Sequence, residues 1–368
     1  MSAKKTLAVI FGGRSGEHEV SLMSARSVLA VLDPAKYEVV QIGVTPAGEW
    51  LCGEDVIGHM ETGNYSPLFP VVLLPEPADG RLFQVIDGRL ETFARLDVVF
   101  PLIHGTYGED GTLQGLLELA DLAYVGDGVL ASSVAMDKSL FKDVMRANGI
   151  PVVDSLLFTR RRLSYHLDQV MDEIERTIPY PVFVKPVNLG SSVGISKCSS
   201  RSNLVEGLLD AARFDRRVLV ERGVDAREIE VSVLGNEDPI ASLPGEIQPQ
   251  EEFYTYSAKY LSNTSRLIIP ADIDPATSEQ IRQAAITAFM AVDGAGMARV
   301  DFLLDRATGV FYLGEMNTIP GFTSISMYAK LWEASGIPYA DLIDRLVDLA
   351  LERKQDRDFT VRTYRRDE

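Results

Sequence analysis

Ala298-Arg299-Val300-Asp301-Phe302-Leu303-Leu304-Asp305, the turn Arg306-Ala307-Thr308-Gly309, and Val310-Phe311-Tyr312-Leu313-Gly314-Glu315-Met316-Asn317 together predict an antiparallel hairpin. Side chains alternate faces along a strand. Arg299 and Asp301 therefore share one face, Glu315 and Asn317 share one face of the partner strand, and any register pairing odd with odd numbers sets all four on one surface. The opposite surface then collects Val300, Phe302 and Leu304 against Val310, Tyr312, Gly314 and Met316, an apolar set whose burial selects that register. Three oxygen ligands converge beside one guanidinium.

Asp301, Glu315 and Asn317 are hard oxygen donors. A set with few carboxylates suits Mg²⁺, which keeps some waters and completes its shell with substrate phosphates. That points to a nucleotide enzyme. A solvated strand face is the bland alternative, since hairpins with polar outer faces are ordinary, and the hairpin alone leaves both open.

At 368 residues the chain exceeds one core and fits two or three domains. With 46% hydrophobic and 24% charged residues it reads as globular, and no apolar run approaches the about 20 residues of a membrane span. Met1-Ser2-Ala3-Lys4-Lys5 leads directly into a strand from Thr6 to Phe11 without a signal-peptide core, so a soluble cytoplasmic protein is expected. Cys52, Cys198 and four histidines make no zinc-type spacing. A formal net charge of −17 argues against a non-specific nucleic-acid binder. Any phosphate must be held by a local cluster of Lys and Arg.

Strand and helix alternate at the start: Leu7 to Phe11 as strand, Glu19 to Leu32 as helix, Tyr37 to Val44 as strand. Residues 46 to 90, rich in Gly and Pro with strand signals such as Pro70 to Leu74, read as an insertion of hairpins. Asp97 to Ile103, Thr112 to Ala120 and Ala123 to Val125 resume strand, helix and strand, closing a first domain at about residue 126. Helices from Ala131 to Asn148 lead into a smaller unit: strand Val152 to Phe158, helix Leu163 to Thr177, strand Pro181 to Lys185, helix Ser200 to Phe214, strand Val218 to Glu221. From about Asp225 a third domain holds Ile229 to Leu234, the hairpin, and closing helices Ile325 to Ser335 and Tyr339 to Arg353.

Val184-Lys185-Pro186-Val187-Asn188-Leu189-Gly190-Ser191-Ser192-Val193-Gly194-Ile195 ends a strand in a lysine and opens a Gly/Ser loop whose unshielded N–H groups can approach phosphate oxygens. A plain Gly-rich turn remains the alternative. The strand-loop-helix phosphate motif is excluded, because no Gly-Lys-Ser/Thr occurs. Phe11-Gly12-Gly13-Arg14-Ser15-Gly16-Glu17 lacks the Gly-x-Gly-x-x-Gly spacing, and Val44-Thr45 lacks the acidic ribose ligand, which disfavours a dinucleotide cofactor. It places Glu17 at a helix N-terminus beside a strand's carboxyl end, where open α/β sheets bind ligands. An electrostatic cap is the simpler role for that carboxylate.

Taken in order, Glu17-His18-Glu19-Val20-Ser21, His104-Gly105, Gly108-Glu109-Asp110-Gly111-Thr112-Leu113-Gln114-Gly115, Met136-Asp137-Lys138, Val184-Lys185-Pro186, Gly190-Ser191-Ser192-Val193-Gly194, Tyr256-Ser257-Ala258-Lys259-Tyr260, Arg299-Val300-Asp301 and Glu315-Met316-Asn317-Thr318-Ile319-Pro320-Gly321 resemble the D-alanine–D-alanine ligases of the ATP-grasp superfamily. The resemblance spans nearly the whole chain, with only residues 46 to 90 outside it. It implies an α/β chain, α+β in part: an N-terminal open parallel sheet (1–126) that binds substrate, a small central subdomain with the glycine-rich loop (127–224), and a C-terminal antiparallel-sheet subdomain with the metal site and a mobile loop (225–368). The implied reaction joins two D-alanines with ATP for peptidoglycan, through D-alanyl phosphate and a tetrahedral intermediate, releasing ADP and phosphate. The implied partners are D-alanine and ATP alone, with no nucleic acid and no membrane, in a homodimer.

A carboxylate attacking a γ-phosphate about 4 Å away is repelled by about 4 kcal/mol at an effective dielectric of about 20, so cations must cancel that charge. By resemblance Lys138 and Lys185 serve the α and β phosphates and Lys259 the transferring group, while Asp301, Glu315 and Asn317 hold two Mg²⁺, or Mn²⁺. Gly190, Ser191, Ser192 and Val193 cover the triphosphate, Glu221 meets the adenine amino group and Glu228 the ribose. Glu17 binds the first D-alanine's ammonium, chained to Ser191 and Tyr260, with His104 nearby. The segment Pro249 to Ser265 fits a closing loop that carries Lys259 and Tyr260 inward. Arg299 and the Gly321 N–H stabilise the oxyanion, and Ser326, with Met327 beside it, takes the second carboxylate at a helix N-terminus. A structural His104 and a simple N-cap at Ser326 are the alternatives. Tyr260 in the Lys259-Tyr260 pair implies D-alanine over D-lactate as second substrate. A different ATP-grasp ligase, an oxidoreductase and a non-catalytic nucleotide-binding module are disfavoured, the last because no metal ligand or lysine is missing.

Overall fold

The computed structural model of the chain describes residues 4–77, 79–190, 193–248, 266–323 and 326–362. Its first sheet is built from β1 (Lys5–Gly12), β2 (Tyr37–Val44), β3 (Trp50–Cys52), β4 (Phe69–Leu73), β5 (Arg81–Ile86), β6 (Arg89–Arg95), β7 (Val98–Pro101) and β8 (Ala123–Tyr124), in the order β6-β5-β4-β3-β2-β1-β7-β8. β2, β1, β7 and β8 pair in parallel, because the helices α1 (His18–Leu29) and α3 (Thr112–Leu119) supply crossovers. The expected open parallel sheet is parallel only in that half. Residues 46 to 90 are no separate insertion: β3 to β6 extend the same sheet antiparallel from β2, with α2 (Val56–Thr62) among them. The short β2–β3, β4–β5 and β5–β6 connections leave no room for a parallel return.

The central sheet, antiparallel throughout, runs β11-β10-β12-β9, from β9 (Ser155–Thr159), β10 (Val182–Pro186), β11 (Ser196–Cys198) and β12 (Arg217–Arg222). Helices α6 (Arg160–Thr177) and α7 (Arg201–Phe214) cover one face through Val170, Ile174, Leu204 and Leu208. The third sheet contains β13 (Ala226–Gly235), β14 (Ile240–Ala241), β15 (Gly245–Gln248), β16 (Arg266–Ile268), β17 (Gly296–Asp305) and β18 (Phe311–Asn317), in the order β16-β15-β13-β17-β18 with β14 beside β13. Its apolar face is Ile229, Val231, Val233, Val300 and Phe302, buried under α4 (Val129–Met136), α5 (Lys138–Ala147) and α8 (Pro275–Ala291). The α4–α5 pair thus belongs to this core although it precedes the central strands in sequence. Helix α8 was not anticipated, yet Asp274 caps it through Ala276 and Thr277 N–H with Pro275 in its first turn, a legible start signal. Helices α9 (Met327–Ala334) and α10 (Tyr339–Asp358) return to the first sheet, where Tyr328, Trp332, Leu342 and Leu346 join Val9, Phe11 and Phe100.

The hairpin register pairs Arg299 with Asn317 and Asp301 with Glu315, odd with odd. Beyond Asp301 it shifts: Phe302 pairs with Leu313 and Leu304 with Phe311, leaving Gly314 as the extra residue of a bulge. The expected inward set Val310, Tyr312 and Gly314 is therefore wrong. The extra residue turns Leu313 and Phe311 toward Phe302 and leaves Val310 exposed, because a one-residue slip exchanges the faces of a strand.

Candidate active site

The polar face of the third sheet carries Glu228, Glu230 and Ser232 on β13, opposite Leu303, Asp301 and Arg299 of β17. Arg299 Nε and Nη2 donate to Asp301 Oδ1 and Oδ2, both at 2.7 Å. Its Nε also lies 3.1 Å from Glu230 Oε2, and Asn317 Nδ2 donates to Asp301 Oδ2 at 3.0 Å. Glu230, which the sequence did not single out, is thus a second anchor of the guanidinium. Among the described residues no three His, Cys, Asp and Glu side chains stand together as a metal-binding group. The candidate set is two carboxylates and one amide, a donor set that fits an ion finishing its shell on phosphate oxygens.

Lys138, the first residue of α5, donates from Nζ to Leu189 O at 2.8 Å and lies 4.0 Å from Glu315 Oε2. It ties the glycine loop to the polar face. Lys185 Nζ stands 2.5 Å from Glu221 Oε2, while Lys142 Nζ stands 3.0 Å from Glu221 Oε1. Burial opposes charge on Glu221, but the two lysines outweigh it and hold the carboxyl down at about 2. Burial likewise works against the Lys185 cation, yet Glu221, backed by Glu315 and Glu228, raises its pKa.

Glu17 is the N-cap residue of α1 and is buried, and its side chain makes no cap hydrogen bond. A Cβ on Gly105 (φ +73°) would stand 2.4 Å from Glu17 Oε2, and one on Gly190 would stand 2.9 Å from the same oxygen. Glycine at both places lets the first-sheet turn and the glycine loop close on this carboxylate without displacing it. Gly190→Ala is expected to displace Glu17 and lower kcat/KM about tenfold or more while the melting temperature stays near the parent's, since a shift of about 1 Å at a reacting site costs up to about 10²-fold. Initial-rate kinetics with a melting curve checks both halves.

Residues 319 to 322 are clamped from the first sheet. Glu109 accepts from Gly105 N–H (2.6 Å) and Ile319 N–H (3.1 Å). His104 Nδ1 is 2.9 Å from Ile319 O, its Nε2 is 2.9 Å from Ser24 Oγ, and Ser24 Oγ accepts from Phe322 N–H at 3.2 Å. The ring must therefore donate from Nδ1 to the carbonyl and accept from the serine. Both nitrogens are engaged in this structure, so the ring holds residues 319 to 322 in place. Burial, then the nearby Arg299, lowers its pKa to about 4, against the pull of Ile319 O. Burial and Glu17 push Glu109 upward against its two N–H bonds.

A histidine whose folded pKa lies below the unfolded value keeps its stabilising effect above about pH 6.5 and loses it as pH falls toward 4, a change of order 3 kcal/mol for His104. Thermal melts should show the parent losing more stability between pH 7 and pH 5 than His104→Gln; equal losses would contradict a buried neutral ring.

Ser326 precedes α9 but makes no cap bond; its Oγ accepts from Thr323 N–H (3.0 Å) and lies 2.8 Å from Thr323 Oγ1. A Cβ on Gly321 would meet that hydroxyl at 2.8 Å, so Ser326 faces the clamped loop and is not a simple cap. The Met327 side chain is buried with Ile247 and Leu331, so the substrate contact expected of this residue would be made by its backbone in the first turn of α9. Val193 is exposed and donates from N–H to Gly190 O, while Glu228 sits partly buried on the polar face. Ser191, Ser192, Lys259 and Tyr260 lie outside the described residues. Ser24, Glu109, Lys142 and Glu230 were missed; Glu109 stood inside a quoted motif, but nothing local marked the others.

The mixed α/β sheet, the two antiparallel sheets and the lysine-flanked glycine loop beside a carboxylate-and-amide face have the architecture of an ATP-grasp ligase. The family models for the D-ala D-ala ligase N-terminus and C-terminus match residues 6–127 and 144–348. The chain is 49% identical over 354 residues to the D-alanine–D-alanine ligase of Heliobacterium modesticaldum, covering 96% of each, and 48% identical to that of Acetivibrio thermocellus, covering 97% and 98%. The structure of the D-alanine–D-alanine ligase from Coxiella burnetii superposes with a TM-score of 0.83 at 38% identity, covering 96% of each chain. That of the VanG D-Ala:D-Ser ligase from Enterococcus faecalis gives 0.84 at 34%, covering 95% and 100%. The chain belongs to the D-alanine–D-alanine ligase family.

Proposed function

We propose that this enzyme joins two D-alanines into D-alanyl-D-alanine for peptidoglycan synthesis with conversion of ATP to ADP and phosphate. One observation carries the proposal: close approaches, hydrogen bonds and strand pairing run from Glu17 through Gly190, Leu189, Lys138, Glu315 and Asp301 to Arg299, and from Glu17 through Gly105 and Glu109 to Ile319, so the expected site residues form one connected set. Glu17 receives the first D-alanine's ammonium, directing its carboxylate toward the γ-phosphate. Lys138 and Lys185 offset phosphate charge, with Lys259 proposed beside the transferring group. Asp301, Glu315 and Asn317 would hold Mg²⁺, which supplies charge neutralisation of the polyphosphate when bound. The first carboxylate oxygen bonds to the γ-phosphorus as the bond to ADP breaks, giving the acyl phosphate. The second amine then attacks the acyl carbon, the Gly321 N–H and Arg299 facing the oxyanion, and phosphate leaves. Ser326 and the first turn of α9 hold the second carboxylate.

Domains bounded in sequence at 1–126, 127–224 and 225–368, with α4 and α5 of the middle stretch packed on the third sheet, a homodimeric assembly and a cytoplasmic location complete the proposal. No helix among the described residues is long and apolar enough to cross a membrane. The test is release of ADP and phosphate dependent on D-alanine and Mg²⁺, with the dipeptide as product. Offered D-alanine and D-lactate together at neutral pH, the enzyme is expected to incorporate D-alanine, as the Lys259-Tyr260 pair suggests; preferential depsipeptide formation would overturn the substrate assignment.

A further inference from the structure

Lys142 is the one lysine or arginine among the described residues that is fully buried, with 1% of its surface exposed. It follows Lys138 by one turn of α5, between Phe141 and Met145 of the core. A buried ammonium is costly even when paired, and apolar replacements of buried ion pairs are often neutral or stabilising. Stability therefore does not explain it. The carboxylate it meets is Glu221, whose two oxygens are divided: Oε1 to Lys142 at 3.0 Å, Oε2 to Lys185 at 2.5 Å.

The two lysines are not equivalent. The Lys185 side chain is 23% exposed, stands one residue before the end of the strand that opens into the glycine loop, and also feels the charges of Glu315 and Glu228. It can turn to phosphates. Lys142, at 2% side-chain exposure, has no such route. When Lys185 is drawn to phosphate, Glu221 would lose its counter-ion unless a second cation stayed in place. Two lysines on one carboxylate make sense if one is the permanent partner and the other is shared with the nucleotide.

We infer that Lys142 is a specificity-determining positioning residue, the permanent counter-ion that keeps Glu221 aimed as a charged acceptor at the base, so that a 6-amino purine is taken and a 6-oxo purine refused. The inference rests on the proposed placing of adenine against Glu221. A carboxylate accepts from the 6-amino group but repels the 6-oxo oxygen of guanine or hypoxanthine, and a site built around such a bond discriminates strongly.

Steady-state kinetics of Lys142→Met with ATP, GTP and ITP tests it. KM for ATP is expected to rise about 10- to 100-fold, the effect of weakening one bond to a charged group, with kcat and KM for D-alanine near the parent's and a smaller preference for ATP over GTP and ITP. A folded Lys142→Met with the parent's KM for ATP and the parent's base preference would overturn the inference. Glu221→Gln separates the two layers: if it leaves base preference untouched, the adenine placement itself fails, whereas loss of preference in Glu221→Gln but not in Lys142→Met sinks the role of Lys142 alone. Should Lys142→Met not fold, Lys142→Gln gives Glu221 a donor without a counter-ion and is read in the same way. Lys142→Met/Glu221→Gln, which removes both charges, is expected to melt near the parent while lacking base preference; retained preference in it would also overturn the inference.

Discussion

Glu315→Gln is expected to lower the D-alanine-dependent release of ADP by about 10²- to 10³-fold, the scale on which removal of one group that stabilises transition-state charge is felt. Glu315 lies opposite Asp301 in the hairpin register and 4.0 Å from Lys138, so its charge sits where polyphosphate, divalent ion and lysine would meet. The amide keeps the size and loses the charge, which isolates the electrostatic role. Binding of Mg²⁺ should weaken in parallel, seen as a higher Mg²⁺ concentration for half-maximal rate, while the melting curve stays in place because the side chain is half-exposed. Near-normal turnover in Glu315→Gln would remove the metal assignment.

The second large effect is expected from loosening the clamp on residues 319 to 322. Pro320 has no N–H, and the N–H groups of Ile319 and Phe322 are held by Glu109 and Ser24, while the carbonyls of Ile319 and Phe322 are held by His104 and Tyr339. Among the described residues, Gly321 N–H is the loop donor left to face the cleft, and its direction is set by these neighbours. His104→Phe combined with Ser24→Ala should therefore lower the rate of dipeptide formation by about 10²-fold, as loss of one oriented oxyanion donor does. The ATP site is untouched, so KM for ATP stays constant. The distinguishing readout is stoichiometry: phosphoryl transfer continues and the acyl phosphate is lost to water, so ADP released exceeds dipeptide formed. A variant that keeps one ADP per dipeptide, with only a higher KM for D-alanine, would show that His104 touches substrate instead.

Much of this site is legible in one dimension because strand periodicity is a local rule. Arg299, Asp301, Glu315 and Asn317 share a face whatever the tertiary context, and the apolar residues between them select the register. The same rule misplaced Tyr312 and Val310, since a bulge costs one residue and leaves no clear mark beyond the glycine at 314. Short-range punctuation at Asp274 and Pro275 could also have revealed α8, which the sequence reading passed over. Ser24, Lys142 and Glu230 were not legible, because each matters through a partner remote in sequence: Phe322 for Ser24, Glu221 for Lys142 and Arg299 for Glu230.

The chain's own order of residues determined that a carboxylate-and-amide face, a lysine-led glycine loop and an acidic helix start would exist, since each follows from backbone geometry over fewer than about 20 residues. Packing alone decided that they meet. Glu17 reaches Gly190, and Lys138 reaches both Leu189 and Glu315, only because α4 and α5 dock on the third sheet and α9 and α10 dock on the first. Burial of apolar surface drives that docking but is non-directional; which polar groups it brings to face one another is settled by the three-dimensional fit of whole elements.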